Sequence, residues 1–172
     1  MSRPILLALV ALLTPAFAAL FLAAMPMLRR QGKPAAGITI FGSIVSFGAA
    51  VMLLMDRLHH EGTERLVVPW IQTGGKIAAE AGVHVDGTSA SMLAVVCFVA
   101  LCVQVFSLGY MHDETPPDFG RYFTYHALFL FSMNTLVIAP NLLQLFVGWE
   151  LVGVTSYLLI GFYFKKPSAA HA

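Results

Sequence analysis

Charge is the scarcest property of this sequence. Asp, Glu, Lys and Arg make up 11% of its 172 residues, against about 25% in soluble domains. The formal net charge is +1 and no block of basic residues stands out, which excludes a nucleic-acid-binding surface. Hydrophobic residues account for 58% of the chain, and its mean hydropathy is +0.78. This composition leaves too little polar surface for a soluble monomer, so we expect the lipid bilayer to be its environment.

Motifs for redox cofactors, metals and phosphate groups are also lacking. The two cysteines, Cys97 and Cys102, are five residues apart. On a helix they point about 140° away from each other, which suits neither a disulfide nor a shared metal. There is no cysteine cluster for an iron–sulfur centre, no Gly-rich phosphate loop and no histidine pair spaced for haem within the apolar segments. We therefore expect no cofactor, no metal and no redox catalysis in this chain alone.

Five apolar segments are long enough to cross a bilayer, whose core of about 30 Å requires about 20 residues in a helix. The fourth is short and carries several polar side chains, so we expect it to face protein rather than lipid. Asp86, just before the third, is a suitable helix N-cap. The segments predict an all-α integral membrane protein that forms a single membrane domain over residues 1–172, with helices at 5–28, 35–55, 89–110, 123–139 and 142–164.

The first segment has a second interpretation. Arg3, the apolar run after it and the Ala16-Phe17-Ala18 sequence, with small residues at 16 and 18, together resemble a cleavable secretory signal. Against this, the apolar run continues to residue 28, which favours a retained span. Pro15 and Pro26 are possible kinks, which membrane helices tolerate.

The longest connection, residues 56–87, has the pattern of a β-hairpin. Residues 66–71 and 83–85 are β-prone, and the Gly74-Gly75 pair between them is a turn signal. Pro69 has no amide hydrogen, so it places the first strand at an edge. We therefore predict a short hairpin between the second and third helices.

The distribution of basic residues predicts the orientation, because cytoplasmic loops carry an excess of Lys and Arg. Five spans place the two ends of the domain on opposite sides of the membrane. An outside N-terminus puts six basic residues inside and four outside, so we predict that the N-terminus and the hairpin are outside. The inner set is Arg29, Arg30, Lys33, Arg121, Lys165 and Lys166, and the outer set is Arg3, Arg57, Arg65 and Lys76.

Glu150 is the only Asp, Glu, Lys or Arg within the five predicted spans. It lies near the middle of the fifth, where a carboxylate facing lipid costs about 2.5 to 3.5 kcal/mol on insertion scales. The side chain must therefore pair, face a wet cavity or stay protonated. Burial favours the neutral acid and a nearby ammonium favours the carboxylate, so a movable partner charge would switch the proton on and off. This chemistry suits a proton relay; the alternative is a buried carboxyl group that fixes helix packing.

Other polar groups provide weaker support for a relay. Tyr157 follows Glu150 by seven residues and so lies on nearly the same helix face, with Ser156 slightly off it, and their hydroxyls would extend a water path. His126 in the fourth span is either part of the relay or an interfacial histidine without a proton role. Three glycines also thin the fifth helix, which lets other helices or water approach: Gly148, Gly153 and Gly161.

Residues 145–162, LFVGWELVGVTSYLLIGF, resemble the fifth-helix signature of subunit L of proton-pumping NADH:quinone oxidoreductase, respiratory complex I. The resemblance extends over most of residues 80–172. For the earlier part of the chain it rests on the number of spans and on the hairpin, which in this family lies on the periplasmic face. The further matching segments are residues 85–92, 107–111, 121–123 and 166–170.

The resemblance implies a role within a larger complex of a bacterial-type inner membrane. By it, Glu150 corresponds to a glutamate that pairs with a lysine on a later, broken helix and shares in proton translocation. NADH, FMN, iron–sulfur clusters and quinone would bind to other subunits. The partners would be other membrane subunits, including whatever supplies the later helices and the lysine.

Family members have many more helices, so the resemblance implies either a fragment or the product of a split gene. Related subunits also occur in multisubunit cation/proton antiporters and membrane-bound hydrogenases. These alternatives stay open at this point, as does a structural or assembly role without transport.

Overall fold

The computed structural model describes residues 2–60, 62–73 and 76–163. Within these ranges four helical spans are long and apolar enough to cross a membrane: α1, α3, α4, and α6 with its 3₁₀ extension. The predicted all-α membrane fold with a short hairpin is confirmed. In chain order the elements are α1 (Arg3–Ala24), α2 (Pro26–Arg30), α3 (Lys33–His59), β1 (Glu64–Thr73), β2 (Lys76–Val85), α4 (Gly87–Tyr110), α5 (Pro116–Val137), α6 (Leu142–Ile160) and a 3₁₀ helix (Gly161–Tyr163).

The first predicted span is divided in two. α1 ends at Ala24, and a separate short helix, α2, begins at Pro26. Pro26 has no amide hydrogen to continue the hydrogen bonds of α1, and it occupies the first turn of α2, where that hydrogen is not needed. α1 contributes buried alanines to the bundle and packs on α3 and α5.

α5 is the most polar of the long helices and is not among the four apolar candidates. It begins at Pro116, seven residues before the predicted span at 123. It packs against α1, α3, α4 and α6, and the prediction that it faces protein is confirmed. Its buried side chains include Thr124, His126, Ser132 and Asn134.

α5 runs from one end of the bundle to the other. At its start, Gly32 in the connection before α3 lies against Pro116. At its end, the carbonyl of Ile138 accepts a hydrogen bond of 2.9 Å from the amide of His84 in β2. Its 22 residues measure about 33 Å at 1.5 Å per residue, which is enough to cross the hydrocarbon core.

β1 and β2 form an antiparallel hairpin in which Leu66 pairs with Val83. Both strands are longer than the predicted β-prone runs, and the register shifts between Pro69 and Gln72. The predicted turn at Gly74-Gly75 lies outside the described residues. Val83 and Val85 are buried against the helices, so one face of the hairpin closes the end of the bundle.

Asp86 is the N-cap of α4, as predicted. Its Oδ1 accepts a 2.7 Å hydrogen bond from the amide of Ser89, and the Ser89 hydroxyl accepts one of 2.9 Å from the amide of Asp86. The bond from the Ser89 amide stabilises the carboxylate and lowers the pKa of Asp86 below its usual range. The charged cap therefore persists to lower pH than a free aspartate would.

Gln144 in the first turn of α6 holds the hairpin. Its Oε1 accepts from the amide of Gly82 and its Nε2 donates to the carbonyl of the same residue, both at 2.8 Å. Asn141 caps α6 through the amide of Gln144 and donates to the carbonyl of Glu80 at 2.7 Å. The side-chain amide of Gln144 thus forms the two hydrogen bonds with Gly82 that a neighbouring third strand would form.

Gln144→Met is expected to release the hairpin from α6. Methionine has nearly the same shape but loses both hydrogen bonds, which costs about 2 kcal/mol at about 1 kcal/mol for each bond. Hydrogen exchange at the amide of Gly82 should become faster. The control is Gln31→Met, which changes an exposed glutamine in the connection before α3. Equal exchange rates at Gly82 in the two variants would show that Gln144 does not hold the hairpin.

Candidate functional site

α6 has two different faces. Gly148 and Thr155 are buried, and a Cβ added to Gly148 would lie 3.0 Å from the backbone of Leu136 in α5. The predicted close approach to the fifth helix is therefore confirmed at Gly148, whereas Gly153 and Gly161 have no such neighbour within 4 Å. The opposite face is exposed and consists of Leu142, Leu143, Phe146, Trp149, Glu150, Gly153, Val154, Tyr157 and Ile160. We call it the open face of α6.

Glu150 lies on the open face. In the part of the chain that the structure describes, its carboxyl group has no hydrogen-bond or ion-pair partner. The side chains beside it, Trp149 and Tyr157, are 66% and 76% exposed. Because a lone carboxylate facing lipid is unfavourable, Glu150 needs a partner beyond these residues, or a bound proton.

The structure places Tyr157 on the same face as Glu150 and leaves Ser156 half-buried beside it. Among residues 2–60, 62–73 and 76–163, no hydrogen bond connects either hydroxyl to Glu150. The geometry therefore provides two polar groups along one open helix face. A continuous proton path along them requires water or further protein groups.

His126 is separate from this face. It is 5% exposed and lies ten residues into α5 rather than at an interface. Its Nδ1 is 3.1 Å from Nε2 of Gln104 in α4, and Oε1 of Gln104 accepts a 3.0 Å hydrogen bond from the hydroxyl of Ser43 in α3. His126 thus ends a polar line across three helices, and the described residues contain no hydrogen bond between it and Glu150.

A second buried polar cluster surrounds the carbonyl of Ala11 in α1. In a helix this carbonyl would accept from the amide four residues later, but that residue is Pro15, which has no amide hydrogen. Two side chains supply the missing bonds, since Ser46 donates at 2.7 Å and Asn134 at 2.9 Å. The thiol of Cys97 completes the cluster, 3.3 Å from Ser46. Because Pro15 leaves the Ala11 carbonyl free, hydrogen bonds around it connect α1, α3, α4 and α5.

Sequence reasoning did not single out Gln104, Ser43 or Ser46. The available signal was modest: Gln104 is the one glutamine of the third predicted span, and the two serines lie three residues apart on one helix face. Uncharged polar side chains inside a membrane helix often hydrogen-bond to other helices. The packing of the bundle determines which helix these side chains bond to.

A cavity of about 590 Å³ lies between α4, α5 and the end of α6. Its lining is apolar except for His126 and Tyr122. Tyr122 shares a 2.9 Å hydrogen bond with the hydroxyl of Ser107. Within the described ranges no three His, Cys, Asp or Glu residues are grouped so as to hold a metal ion.

Comparison with known proteins identifies the family. A family model described as the N-terminus of chain 5 of NADH-ubiquinone oxidoreductase (complex I) matches residues 70–123. A second, described as the TM region of NADH:quinone oxidoreductase and Mrp antiporter, matches residues 139–172. NADH-quinone oxidoreductase subunit L of Neisseria meningitidis serogroup A is 43% identical over 137 residues, which are 78% of this chain and 20% of that protein. The chain belongs to the subunit L family.

Other members of the subunit L family give similar values. Subunit L of Mycobacterium tuberculosis is 42% identical over 134 residues, 76% of this chain and 21% of that protein. NAD(P)H-quinone oxidoreductase subunit 5 of the Paulinella chromatophora chromatophore is 42% identical over 141 residues, 81% of this chain and 21% of that protein. The chain spans about a fifth of the length of these curated relatives. It corresponds to the N-terminal part of a multi-pass membrane protein of the subunit L family.

Proposed function

We propose that this chain forms the N-terminal part of a proton-translocating membrane-arm subunit of NADH:quinone oxidoreductase, in which Glu150 takes up and releases protons. The observation that carries the proposal is the position of Glu150. The four apolar candidate spans contain two acidic residues, Asp56 in the last turn of α3 and Glu150 in the interior of α6. Glu150 lies on the open face of α6, on the side away from α5.

The partner charge of Glu150 comes from the rest of the protein. A helix that packs on the open face and carries a lysine would stabilise the carboxylate when its ammonium is near. When the ammonium moves away, apolar surroundings favour the neutral acid, and Glu150 takes up a proton. Tyr157 and Ser156 are proposed to extend the path along α6, and His126 to take part from α5.

Redox chemistry is proposed to take place in other subunits of the complex. NADH, FMN, iron–sulfur clusters and quinone would bind there, and this chain would convert the free energy of electron transfer into proton movement. The complex is proposed to reside in a bacterial-type inner membrane. The N-terminus and the hairpin would then be outside.

A second candidate is a subunit of a multisubunit cation/proton antiporter, in which Glu150 would serve cation exchange. One observation favours keeping it: the family description matched by residues 139–172 covers Mrp antiporters as well as the oxidoreductase. The two functions differ in their partners, because only the oxidoreductase requires flavin and iron–sulfur subunits.

Purification of the intact complex through a tag on this protein tests the proposal. We expect native mass spectrometry to find flavin- and iron–sulfur-bearing subunits, and proteoliposomes of the complex to translocate protons when NADH is supplied. An untagged strain is the control for adventitious partners. Antiporter subunits alone, together with sodium-dependent proton flux, would contradict the oxidoreductase assignment in favour of the second candidate.

A further inference from the structure

The polar line Ser43–Gln104–His126 is one of the most deeply buried features of the bundle. Ser43 and Gln104 are 0% exposed and His126 is 5% exposed. Each comes from a different helix, so the line forms only when α3, α4 and α5 are packed together. Every member is able both to donate and to accept a hydrogen bond.

The atoms in contact determine where the histidine hydrogen lies. Nε2 of Gln104, an amide nitrogen that only donates, is 3.1 Å from Nδ1 of His126. Nδ1 therefore accepts, and a neutral ring carries its hydrogen on Nε2. The hydroxyl of Ser43 donates to Oε1 of Gln104 at 3.0 Å, which holds the carboxamide in this orientation.

We propose that Gln104 is a positioning residue that holds His126 in the neutral, Nε2-protonated tautomer. The inference rests on the proposed proton-handling function, because it defines the resting state of a histidine in that path. When His126 takes a proton from the aqueous phase, the proton ends on Nδ1 and no other covalent bond changes. Its new hydrogen would face the amide hydrogens of Gln104, so protonation requires the carboxamide to rotate and turn Oε1 towards the ring.

Rotation of the carboxamide needs no additional group. Nε2 of Gln104 would then donate to the hydroxyl of Ser43, which changes from donor to acceptor. The Ser43 hydroxyl would in turn donate to the carbonyl of Thr39, one turn earlier in α3, a common arrangement for serine in helices. The line therefore has two complete hydrogen-bond patterns, one for each protonation state of His126.

Neighbouring titratable groups do not provide His126 with a charged partner among the described residues. The ring of Tyr122 is 6.2 Å from the His126 ring, and its hydroxyl is bonded to Ser107 in α4. Asp118 and Arg121 pair with each other at 3.0 Å near the start of α5. From α6, Glu150 lies on the open face rather than towards α5, and from α4 the thiol of Cys97 is bonded to Ser46 and Asn134.

Solid-state nitrogen NMR on the histidine-labelled complete protein, in its complex, tests the inference. The His126 signals are those that disappear in His126→Asn. In the unsubstituted protein near neutral pH we expect hydrogen on Nε2 and none on Nδ1. A predominant Nδ1-protonated ring, or an equal mixture of the two tautomers, would overturn the proposal without any variant at Gln104.

Two substitutions separate positioning from packing. In Gln104→Met, which keeps the size but removes the donor, the ratio of Nε2-protonated to Nδ1-protonated rings should fall about fivefold, as for loss of one ordinary hydrogen bond. In Gln104→Glu, the new side chain only accepts once it is ionised, so above the pH of its ionisation it should draw a hydrogen to Nδ1. Gln144→Met removes a buried glutamine elsewhere and should leave the His126 signals unchanged.

An unchanged ratio in Gln104→Met would reject the proposal. If that variant does not assemble, the unsubstituted protein decides it, since a ring that carries its hydrogen mainly on Nδ1 contradicts the positioning role. The outcome is distinct from that of the proposed function. If Glu150→Gln pumps normally, the proposed function is rejected, but the tautomer of His126 still tests this inference. If Glu150→Gln loses pumping and His126 carries its hydrogen on Nδ1, only this inference is rejected.

Discussion

Glu150→Gln is expected to stop proton translocation through this subunit while the complex still assembles. Glutamine has the shape of a protonated glutamate but cannot release a proton, so it blocks the cycle at the step where Glu150 would ionise. Loss of a proton-transfer group typically costs about 100-fold or more in rate. Because Glu150 has no partner among the described residues and lies on the open face of α6, the substitution leaves the contacts of α6 with α5 unchanged.

Proton uptake into proteoliposomes of the complete complex, driven by NADH, measures this effect. Native gel electrophoresis reports assembly in the same preparations. Glu80→Gln is the matched control, because it makes the same chemical change in the hairpin, outside the spans, where Glu80 pairs with Arg65. Full proton flux in Glu150→Gln would reject the proton role. Combined with loss of the complex on truncation of α6, that result would favour the structural alternative.

Asn134→Leu is expected to be the most destabilising of the uncharged substitutions considered, at about 3 kcal/mol. The side chain makes three buried contacts, to Ala11, Ser46 and Cys97, and each ordinary hydrogen bond contributes about 1 kcal/mol. Leucine fills a similar volume, so the cost reflects lost hydrogen bonds. The carbonyl of Ala11 would keep only the bond from Ser46.

The role of Pro15 gives this prediction a sharper form. Pro15→Ala supplies the missing amide, so in that background the carbonyl of Ala11 has a helical partner and needs Asn134 less. We expect Asn134→Leu to cost about 1 kcal/mol less in Pro15→Ala than in the unsubstituted protein. The measurement is a double-mutant cycle: the free energy of unfolding of the detergent-solubilised complete subunit is determined for the unsubstituted protein, each single variant and the double variant. Strictly additive effects would show that Asn134 does not serve the carbonyl freed by Pro15.

The elements of the fold were predictable because each depends on a local property of the chain. In a bilayer the backbone polar groups of a span cannot bond to water, and a helix satisfies nearly all of them itself, so an apolar run of sufficient length predicts a helix without knowledge of its neighbours. The hairpin followed equally from β-prone residues around a glycine pair. Errors arose at the ends, where Pro26 and Pro116 mark boundaries that hydropathy does not detect.

The candidate site was predictable only in part. Glu150 stood out by sequence alone, because a charged residue in a long apolar run is costly wherever the helix packs. Tyr157 followed from helix periodicity, which relates residues on one helix. The partner of His126 could not be inferred in this way, since Gln104 lies on another helix and nothing in either segment specifies their relative rotation.

The sequence by itself therefore determined the membrane environment and the singular position of Glu150, which follow from composition and local pattern, and its resemblance to known proteins indicated the family. Only the tertiary structure decided which face of α6 stays open and which side chains satisfy the carbonyl that Pro15 frees. It also decided the direction of the hydrogen bonds between Ser43, Gln104 and His126. The physical reason is that these contacts depend on how helices rotate and approach one another, and residues distant in the chain set those rotations jointly through close packing.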